Sequence, residues 1–280
     1  MKKYLVLYNP KANNGNCLDN AKILSVILDG EISFFNILKI TSYERFFNGL
    51  EKDNDVIICG GDGTLNKFVN QIKGVKIQND IYYYPCGTGN DFYKEVSNGE
   101  ELIKINDLIT NLPTATVEGN NYAFLNGVGY GIDGFCCEEG DKLQQKNKKV
   151  NYAKIAIIGL LFKYKPTDAK ITVDGKTCEF KKVWLAPTMY GKYYGGGMIP
   201  TPGQSRFNKC KKVSIMVFHG CGKIKSLLIF PKIFKGEHVK STKYVEIFSG
   251  NNIEVEFNRK TPVQIDGETI KNITTYKVSV

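Results

Sequence analysis

Three loop segments, each placed directly after a short strand-like run, constrain the fold of this chain more than any other feature. The strand-like runs are residues 5–8, 55–59 and 81–84, and the loop segments that follow them are residues 9–16, which are rich in asparagine, and residues 60–66 and 85–91, which are rich in glycine. Between the second and third runs, the apolar residues recur at the spacing of one helical face: Leu65, Phe68, Val69 and Ile72. This alternation of strand and helix predicts an α/β domain with a mostly parallel sheet that helices cover on both faces.

The pattern changes at about residue 120, where short apolar runs follow one another with turn signals between them. Asp174-Gly175, between two of these runs, is typical of a hairpin turn. We expect two helices in this half, over about 138–163 and 222–235, and in the first half a helix over 18–28 and a second strand over 34–40. The sequence therefore predicts two domains, residues 1–120 and 121–280, the second an antiparallel β-sandwich-like domain.

Composition narrows the classes of function. The 280 residues include 38 Lys and Arg against 28 Asp and Glu, and the net charge of +10 indicates an anionic partner such as phosphate, nucleic acid or a membrane surface. Two histidines are too few for a His-rich metal site and argue against a serine–histidine catalytic pair. No apolar run reaches the ~18 residues of a membrane span, and the N-terminus does not have the pattern of a signal peptide. We therefore expect a cytoplasmic protein whose eight cysteines are reduced.

The three loop segments, each with glycine and with asparagine or threonine, have the chemistry of phosphate-binding loops. Ligands of parallel α/β sheets gather beyond the carboxyl ends of the strands. Glycine lets the backbone approach a ligand closely, and the free N–H groups at the start of a helix attract anions. Asp62 lies inside the second segment, where its carboxylate would repel a phosphate unless a cation stood between them. We therefore expect a nucleotide that binds together with a divalent metal.

The ordered motifs of the chain resemble the bacterial diacylglycerol kinase and lipid kinase family, which is related to the sphingosine kinases. In the first domain the resemblance rests on Asn9-Pro10, Gly60-Gly61-Asp62-Gly63-Thr64 and Gly87-Thr88-Gly89-Asn90-Asp91-Phe92. In the second it rests on Phe124-Leu125-Asn126-Gly127-Val128-Gly129, Gly195-Gly196-Gly197-Met198-Ile199-Pro200 and Asp266-Gly267-Glu268. The resemblance implies an NAD kinase-like fold that binds ATP between its two domains. It also implies Mg²⁺-dependent transfer of the γ-phosphate to a lipid hydroxyl, with diacylglycerol as the expected acceptor.

The resemblance also implies roles for individual residues. The nucleotide would be bound by residues of the three segments and by one threonine outside them, namely Asn9, Pro10, Lys11, Ala12, Asn13, Thr41, Gly60, Gly61, Asp62, Gly63, Thr64, Leu65, Asn66, Lys67, Thr88 and Asn90. Asp62 and Asp91 would belong to the network that holds Mg²⁺ and phosphate. Glu268 is expected to take the proton from the lipid hydroxyl, and Asp266 is the alternative base.

Two departures from the family pattern keep other functions open. Lys67 stands where the family commonly has a glutamate, and Asn208-Lys209 replaces the Asp-Gly pair of an accessory metal site. These departures are compatible with a non-catalytic regulator that binds lipid or nucleotide. NAD kinases share the Gly-Gly-Asp-Gly-Thr motif, so a kinase of a soluble substrate is a second alternative.

The remaining signals concern partners. Residues 129–134 match G-x-G-x-x-G, but no acidic residue ends an adjacent strand about 20 residues later, as a Rossmann domain requires. Nucleic-acid binding is not expected, because no zinc-finger spacing or RNA-binding motif is present. Apolar residues interleave with four lysines over 223–235, which fits either a basic surface that meets an anionic membrane or a core-facing helix with solvated lysines. A lipid substrate implies peripheral membrane contact, and the resemblance implies a homodimer.

Overall fold

A five-stranded sheet forms the centre of the first unit, Met1–Leu112, in the computed structural model, which describes residues 1–146 and 150–280. The strands of this sheet are β1 (Lys3–Tyr8), β2 (Glu31–Asn36), β3 (Asp55–Gly60), β4 (Ile81–Pro85) and β5 (Ile103–Lys104). Their order is β2-β1-β3-β4-β5, and every pairing except that of β5 is parallel. The predicted α/β domain with a mostly parallel sheet is therefore confirmed.

The helices of the first unit connect these strands. They are α1 (Cys17–Ala21), α2 (Leu24–Ile27), α3 (Tyr43–Asn48), α4 (Asp62–Gln71) and α5 (Asp91–Val96), with single 3₁₀ turns at Ala12–Gly15, Ile37–Lys39 and Asn106–Leu108. The helix predicted over 18–28 is thus two short helices. The second strand ends at Asn36 rather than at residue 40, because the Asn36 side chain accepts the N–H of Leu38 at 2.9 Å and starts a 3₁₀ turn.

The second unit, Pro113–Val280, is built on a sheet of ten strands. They are β6 (Thr114–Val117), β7 (Asn120–Ala123), β8 (Gly127–Tyr130), β9 (Thr167–Val173), β10 (Lys176–Val183), β11 (Thr188–Met189), β12 (Val213–Phe218), β13 (Val245–Gly250), β14 (Asn252–Ile265) and β15 (Glu268–Ser279). All their pairings are antiparallel, in agreement with the predicted sandwich-like domain. The hairpin predicted at Asp174-Gly175 joins β9 to β10.

The long strands β14 and β15 show how the second unit is held together. The short apolar runs 253–257 and 263–265 belong to the one strand β14, whose pairing with β15 shifts in register between Glu256 and Val263. Its partner β15 also pairs with β6, which ties residues from Pro113 onward to the second unit. The first unit therefore ends at Leu112, before the predicted boundary at residue 120.

The helices of the second unit differ in length from the expected ones. They are α6 (Ile132–Gln145), α7 (Tyr152–Ile158) with a π-helical turn at Gly159–Lys163, and α8 (Lys223–Ile229) with 3₁₀ turns at Phe230–Lys235 and Glu237–Lys240. The single helix expected over 138–163 is wrong, and part of it, residues 147–149, lies outside the described residues. The helix expected over 222–235 changes to 3₁₀ at Phe230, because Pro231 cannot donate a helical hydrogen bond.

Candidate functional site

The residues predicted to bind the nucleotide lie beyond the carboxyl ends of the parallel strands. Asn9 follows β1, Gly60 ends β3, and Thr88 follows β4. Thr41 lies beyond β2, the neighbour of β1 at the edge of the sheet. Since parallel strands end at one edge of their sheet, the structure brings these segments of the first unit to a common edge, where ligands of such sheets bind.

Direct hydrogen bonds connect the three loop segments. The Asn9 side-chain amide donates to the hydroxyl of Thr64 at 2.8 Å, and its oxygen accepts the N–H of Lys11 at 3.0 Å. The third segment is held to the second because Cys86 N–H donates to the carbonyl of Gly60 at 2.8 Å. The Tyr83 hydroxyl donates to the same carbonyl at 2.9 Å. The three segments therefore form one connected set of loops.

The start of α4 provides the anion-binding chemistry of these loops. Gly61 is the residue before the helix, and its carbonyl accepts the N–H groups of Thr64 and Leu65 at 2.9 and 3.1 Å. The first N–H groups of a helix have no partner within the helix and carry the positive end of its dipole. Phosphate is a common ligand of this arrangement. The backbone around Gly61 and Gly63 can therefore bind the phosphates of a nucleotide.

Asp62 connects the second segment to α5. Its two carboxylate oxygens accept the backbone N–H groups of Asp91 and Phe92, both at 2.9 Å. Asp91 is itself buried, and one of its oxygens lies 3.5 Å from the ammonium of Lys94. The two carboxylates predicted to bind metal are thus adjacent in the fold, and Asp62 also has the structural role of capping a helix.

These carboxylates fit a metal ion that is bound jointly by the protein and by the phosphates of a substrate. Within residues 1–146 and 150–280, no group of three or more His, Cys, Asp or Glu side chains could hold a metal ion by itself. Mg²⁺ needs no such cage, because it is commonly held by one or two carboxylates together with substrate phosphates and water. Asp62 fits that role as one carboxylate of a site that is shared with phosphate, and it also accepts the N–H groups of Asp91 and Phe92.

The other predicted nucleotide residues differ in exposure. The side chain of Leu65 is fully buried in the core and Asn66 is nearly so, whereas Lys67 and Thr88 are exposed. Asn90 adopts a left-handed backbone conformation with φ of 50°, in which its side chain bonds both the N–H and the carbonyl of Gly87, at 3.0 and 2.8 Å. Within the first segment, Asn13 is also left-handed. Leu65 can therefore reach a ligand only through its backbone, and Asn90 shapes the third loop.

The Asp266-Gly267-Glu268 element is a tight turn between β14 and β15. Asp266 and Gly267 have φ of 45° and 92°, as a two-residue hairpin turn requires. The Asp266 carboxylate accepts three backbone N–H groups, one from Leu125 at 2.5 Å and two, from Asn126 and Gly127, at 2.9 Å. The side chain of Glu268, the first residue of β15, is exposed. The two carboxylates therefore divide their roles, with Asp266 fixing the turn and Glu268 presented to solvent.

Three residues that support this region were missed by the sequence analysis. Gln264 is buried, and its side-chain oxygen accepts the N–H of Gly267 at 2.6 Å. Arg206 is buried and donates to the side-chain oxygen of Asn126 at 3.0 Å. Asp133, buried in the first turn of α6, lies within the G-x-G-x-x-G match but was not singled out there. No pattern in the sequence distinguishes them from ordinary surface polar residues.

Family models match both units. One described as the diacylglycerol kinase catalytic domain matches residues 3–118. Another, described as the YegS C-terminal NAD kinase beta sandwich-like domain, matches residues 126–278, which is more than half of the chain. Both matches agree with the resemblance found in the motifs.

Individual proteins are similar to the chain at lower identity. A protein of Staphylococcus aureus strain N315, named "Putative lipid kinase SA0681", is 27% identical over 229 residues, which are 78% of this chain and 72% of that protein. Two crystal structures from Bacillus anthracis str. Sterne are similar in fold. One, titled "a putative diacylglycerol kinase", has a TM-score of 0.67 at 21% identity and covers 99% of this chain and 92% of its own. The other, titled "a diacylglycerol kinases", has a TM-score of 0.62 at 20% identity and covers 99% and 93%.

Proposed function

The chain belongs to the family of bacterial diacylglycerol kinases and related lipid kinases, and we propose that it transfers the γ-phosphate of ATP, with Mg²⁺, to the hydroxyl group of a lipid. The proposed acceptor is diacylglycerol, and the product would be phosphatidic acid. Membership of the family makes the chain a kinase. The names of the relatives, which refer to lipid kinases and diacylglycerol kinases, support the choice of a lipid acceptor.

The observation that carries the proposal is the connected set of loops at the start of α4. Gly61 packs so closely on Gly87 that a Cβ on Gly87 would lie 2.5 Å from the Cα of Gly61. No side chain therefore separates the two loops from each other, and the first backbone N–H groups of α4, the helix that follows Gly61, lie beside this contact. Binding and orientation of phosphates supply most of the catalysis in phosphoryl transfer, because the protein has little covalent chemistry to perform.

The proposed base is Glu268. A general base must lie within hydrogen-bond reach of the hydroxyl that it deprotonates. The Asp266 carboxylate accepts three backbone N–H groups and is thereby committed to the turn, whereas the side chain of Glu268 is exposed at the end of the same turn. This geometry favours Glu268 over Asp266 and gives Asp266 the task of holding Glu268 in place.

Asp62 would hold the metal from the protein side. When bound, Mg²⁺ neutralises charge that develops on the transferred phosphoryl group. Asp62 would face it while still accepting the N–H groups of Asp91 and Phe92. Any change at Asp62 should therefore affect both the metal and the start of α5.

Membrane contact is part of the same proposal. Within the described ranges, the structure contains no helix that is both long and apolar enough to span a bilayer. The second unit does expose apolar side chains on α8, with Ile224 77% and Leu228 62% exposed. Lysines alternate with them, and Lys223 bonds the carbonyl of Leu161, so that α8 begins beside the π-helical turn that carries the 75% exposed Phe162. We call this surface, formed by Phe162, Ile224, Leu228, Phe234, Lys223, Lys225, Lys232 and Lys235, the basic apolar face.

The basic apolar face fits the surface of an anionic bilayer. The buried residues of α8 and the following turn are Ser226, Ile229 and Ile233, so the apolar side chains of this segment divide between the core and solvent. An exposed apolar patch surrounded by lysines is typical of surfaces that lie in the membrane interface. Each lysine near an anionic surface adds about 1 kcal/mol of attraction.

The proposed activity is tested by transfer of labelled γ-phosphate from ATP to lipids in mixed micelles with Mg²⁺. Diacylglycerol, ceramide and a polyprenol are the lipid acceptors, and NAD is the soluble acceptor. We expect labelled phosphatidic acid from the wild-type protein, and little from Glu268→Gln. The matched control is Glu254→Gln, which removes a carboxylate paired with Lys277 on the same pair of strands. It should retain full activity.

The other outcomes separate the alternatives. Label only in another lipid would keep the lipid kinase and change the acceptor. Label only in NAD would replace the proposal with a soluble-substrate kinase. ATP binding without transfer to any acceptor would indicate a non-catalytic regulator.

A further inference from the structure

Asp133 is a buried carboxylate that the proposed reaction does not use. It lies in the first turn of α6 and is 7% exposed. One of its oxygens, Oδ1, accepts the N–H of Gly134 at 2.8 Å. The other, Oδ2, is buried and meets no donor in hydrogen-bond geometry among the described residues. A buried carboxylate with an incomplete set of partners is costly, so its presence needs a reason.

The free oxygen of Asp133 is directed at the side chain of Gln264. A Cβ built on Gly129 would lie 1.6 Å from Asp133 Oδ2 and 2.5 Å from Gln264 Nε2, so these two atoms are at most about 4 Å apart. Gly129, in β8, leaves the room that both side chains occupy. The Gln264 amide can therefore donate to the Asp133 carboxylate after a small adjustment of either side chain.

The opposite end of the Gln264 amide holds the turn that carries Glu268. Its oxygen accepts the N–H of Gly267 at 2.6 Å. The two neighbouring groups set the orientation of the amide, because the Gly267 N–H can only donate and the ionised Asp133 carboxylate can only accept. A chain of polar contacts thus runs from Asp133 through Gln264 to the residue next to Glu268.

Neutral titratable side chains face Asp133, and the charged side chain of Arg259 lies beside two of them, Tyr130 and Tyr164. The titratable groups that face it from its own helix and from the elements packed against it are uncharged at neutral pH, namely Tyr130, Cys136, Cys137, Tyr164, Tyr194 and Tyr276. The Tyr194 hydroxyl also faces the Asp133 carboxylate, and Tyr194 exchanges two backbone hydrogen bonds with Met198 across the triple-glycine loop. Gln264 faces Asp133 as well, and its side chain bonds the turn through the Gly267 N–H.

We propose that Asp133 is a positioning residue: through Gln264 it holds the turn Asp266-Gly267-Glu268 in one conformation and so fixes the carboxylate of Glu268. The role of Glu268 as the base rests on the proposed function, but the effect of Asp133 on the turn does not. In this proposal Asp133 acts through Gln264 and the turn rather than on the substrate. Its contribution should therefore appear in the catalytic rate rather than in the affinity for ATP.

The first test measures the turn directly, without any substrate. Amide hydrogen exchange is followed by mass spectrometry in the segment 262–270, which contains Gly267, for the wild-type protein, Asp133→Asn and Gln264→Met. We expect exchange at this segment to become about tenfold faster in both variants, because local opening frees the Gly267 N–H. The matched control is Asp141→Asn, the same change on the same helix, and it should leave this exchange unchanged.

The two variants together distinguish loss of the Asp133–Gln264 link from general misfolding. Methionine keeps the length of glutamine without its amide, so Gln264→Met removes the link while retaining the packing. If the two residues act in one chain, the double variant should exchange no faster than either single variant. Unchanged exchange in both single variants, or full additivity in the double variant, would overturn the proposal.

The second test measures the effect on the reaction. Asp133→Asn should lower kcat about tenfold with KM for ATP unchanged, and the dependence of kcat on pH between about 5.5 and 7 should differ from that of the wild-type protein. An increase in KM for the lipid at unchanged kcat would overturn the proposal and place Asp133 in lipid binding. If no acceptor is phosphorylated but exchange at the turn increases, the positioning role stands and the proposed function fails.

Discussion

Gly61 and Gly87 belong to two different loops beyond the parallel strands, and their α-carbons pack directly against each other. A Cβ built on Gly87 would lie 2.5 Å from the Cα of Gly61, whereas one built on Gly61 would lie 3.1 Å from the Cα of Gly87. The first distance is shorter than any van der Waals contact allows, and its partner is backbone, which cannot move aside cheaply. The contact is therefore asymmetric, and the two glycines should respond differently to the same substitution.

Gly87→Ala should destabilise the first unit more than Gly61→Ala does. We expect a loss of about 1–3 kcal/mol in the free energy of unfolding for Gly87→Ala, as for other overpacked sites, and less for Gly61→Ala. Both should raise KM for ATP, because the loops must separate to admit the methyl group. Gly203→Ala is the control, since a Cβ there would meet nothing within 4 Å. Equal losses in urea unfolding for the two loop variants would show that the loops can move apart freely.

Substitutions at the two carboxylates of the hairpin turn should have different effects on the stability of the protein and on its activity. Asp266→Asn removes an acceptor for three backbone N–H groups and should lower both the free energy of unfolding, by about 1–3 kcal/mol, and kcat. Glu268→Gln should abolish most activity while leaving the melting temperature within experimental error, because its side chain is exposed. Thermal unfolding and labelled-phosphate transfer on the same preparations check both. A strong loss of activity only in Asp266→Asn would make Asp266 the base.

The same turn shows how far the sequence predicts the site. The motif predicted that Asp266 or Glu268 is the catalytic base. A tripeptide cannot show which of the two carboxylates accepts hydrogen bonds from a distant part of the backbone. That distinction depends on the N–H groups of Leu125, Asn126 and Gly127, more than a hundred residues away in the chain. The fold class was predictable because strand and helix periodicity is local. Asp133 and Gln264 were not, because their relationship exists only after β8, α6 and β14 have packed.

Element boundaries show the same limit. The residues over 18–28 are mostly helical as predicted, but they form two short helices, α1 and α2, instead of one. The apolar positions over 222–235 could not reveal which side chains face the core, since Ile229 and Ile233 are buried while Ile224 and Leu228 are exposed. Periodicity predicts that a helix has two faces, whereas tertiary packing decides what covers each of them.

Asp62→Asn should weaken α5 and the response to Mg²⁺ together. An asparagine side chain has an NH₂ donor in place of one carboxylate oxygen, so Asp91 and Phe92 can no longer each donate to a separate oxygen. We expect a loss of about 1–3 kcal/mol in the free energy of unfolding and a higher Mg²⁺ concentration for half-maximal activity. Asp19→Asn, on the exposed surface of α1, is the control. A variant that loses stability but keeps the Mg²⁺ dependence of the wild-type protein would limit Asp62 to capping the helix.

The basic apolar face should determine binding to anionic vesicles. Ile224→Ser with Leu228→Ser removes two exposed apolar side chains, each worth about 1.5–3 kcal/mol when fully buried, so we expect at least about tenfold weaker binding. The matched control is Ile23→Ser with Val26→Ser, which removes two exposed apolar side chains from the first unit. Sedimentation with phosphatidylglycerol vesicles measures the difference. Equal binding by both double variants would show that another surface meets the membrane.

The buried carboxylate of Asp133 should make the stability of the chain depend on pH in a direction opposite to that of a salt-bridged aspartate. Burial raises its pKa from the ordinary 3.8 to about 6. Between these values the folded protein binds more protons than the unfolded chain, so the free energy of unfolding decreases as the pH rises through that range. The decrease should be on the order of 2–3 kcal/mol and complete above about pH 7.

Asp133→Asn removes this ionisation and therefore this part of the pH dependence. We expect the difference in unfolding free energy between Asp133→Asn and the wild-type protein to shift in favour of the variant by on the order of 2–3 kcal/mol from pH 4 to pH 7. Urea unfolding at half-unit steps of pH, with Asp141→Asn as the control, measures this difference. The same substitution is expected to loosen the turn and to slow catalysis. The variant should therefore gain stability relative to the wild-type protein at neutral pH while it loses activity. A difference that stays constant over the pH range would mean that Asp133 ionises as readily in the folded protein as in water, and that burial does not raise its pKa.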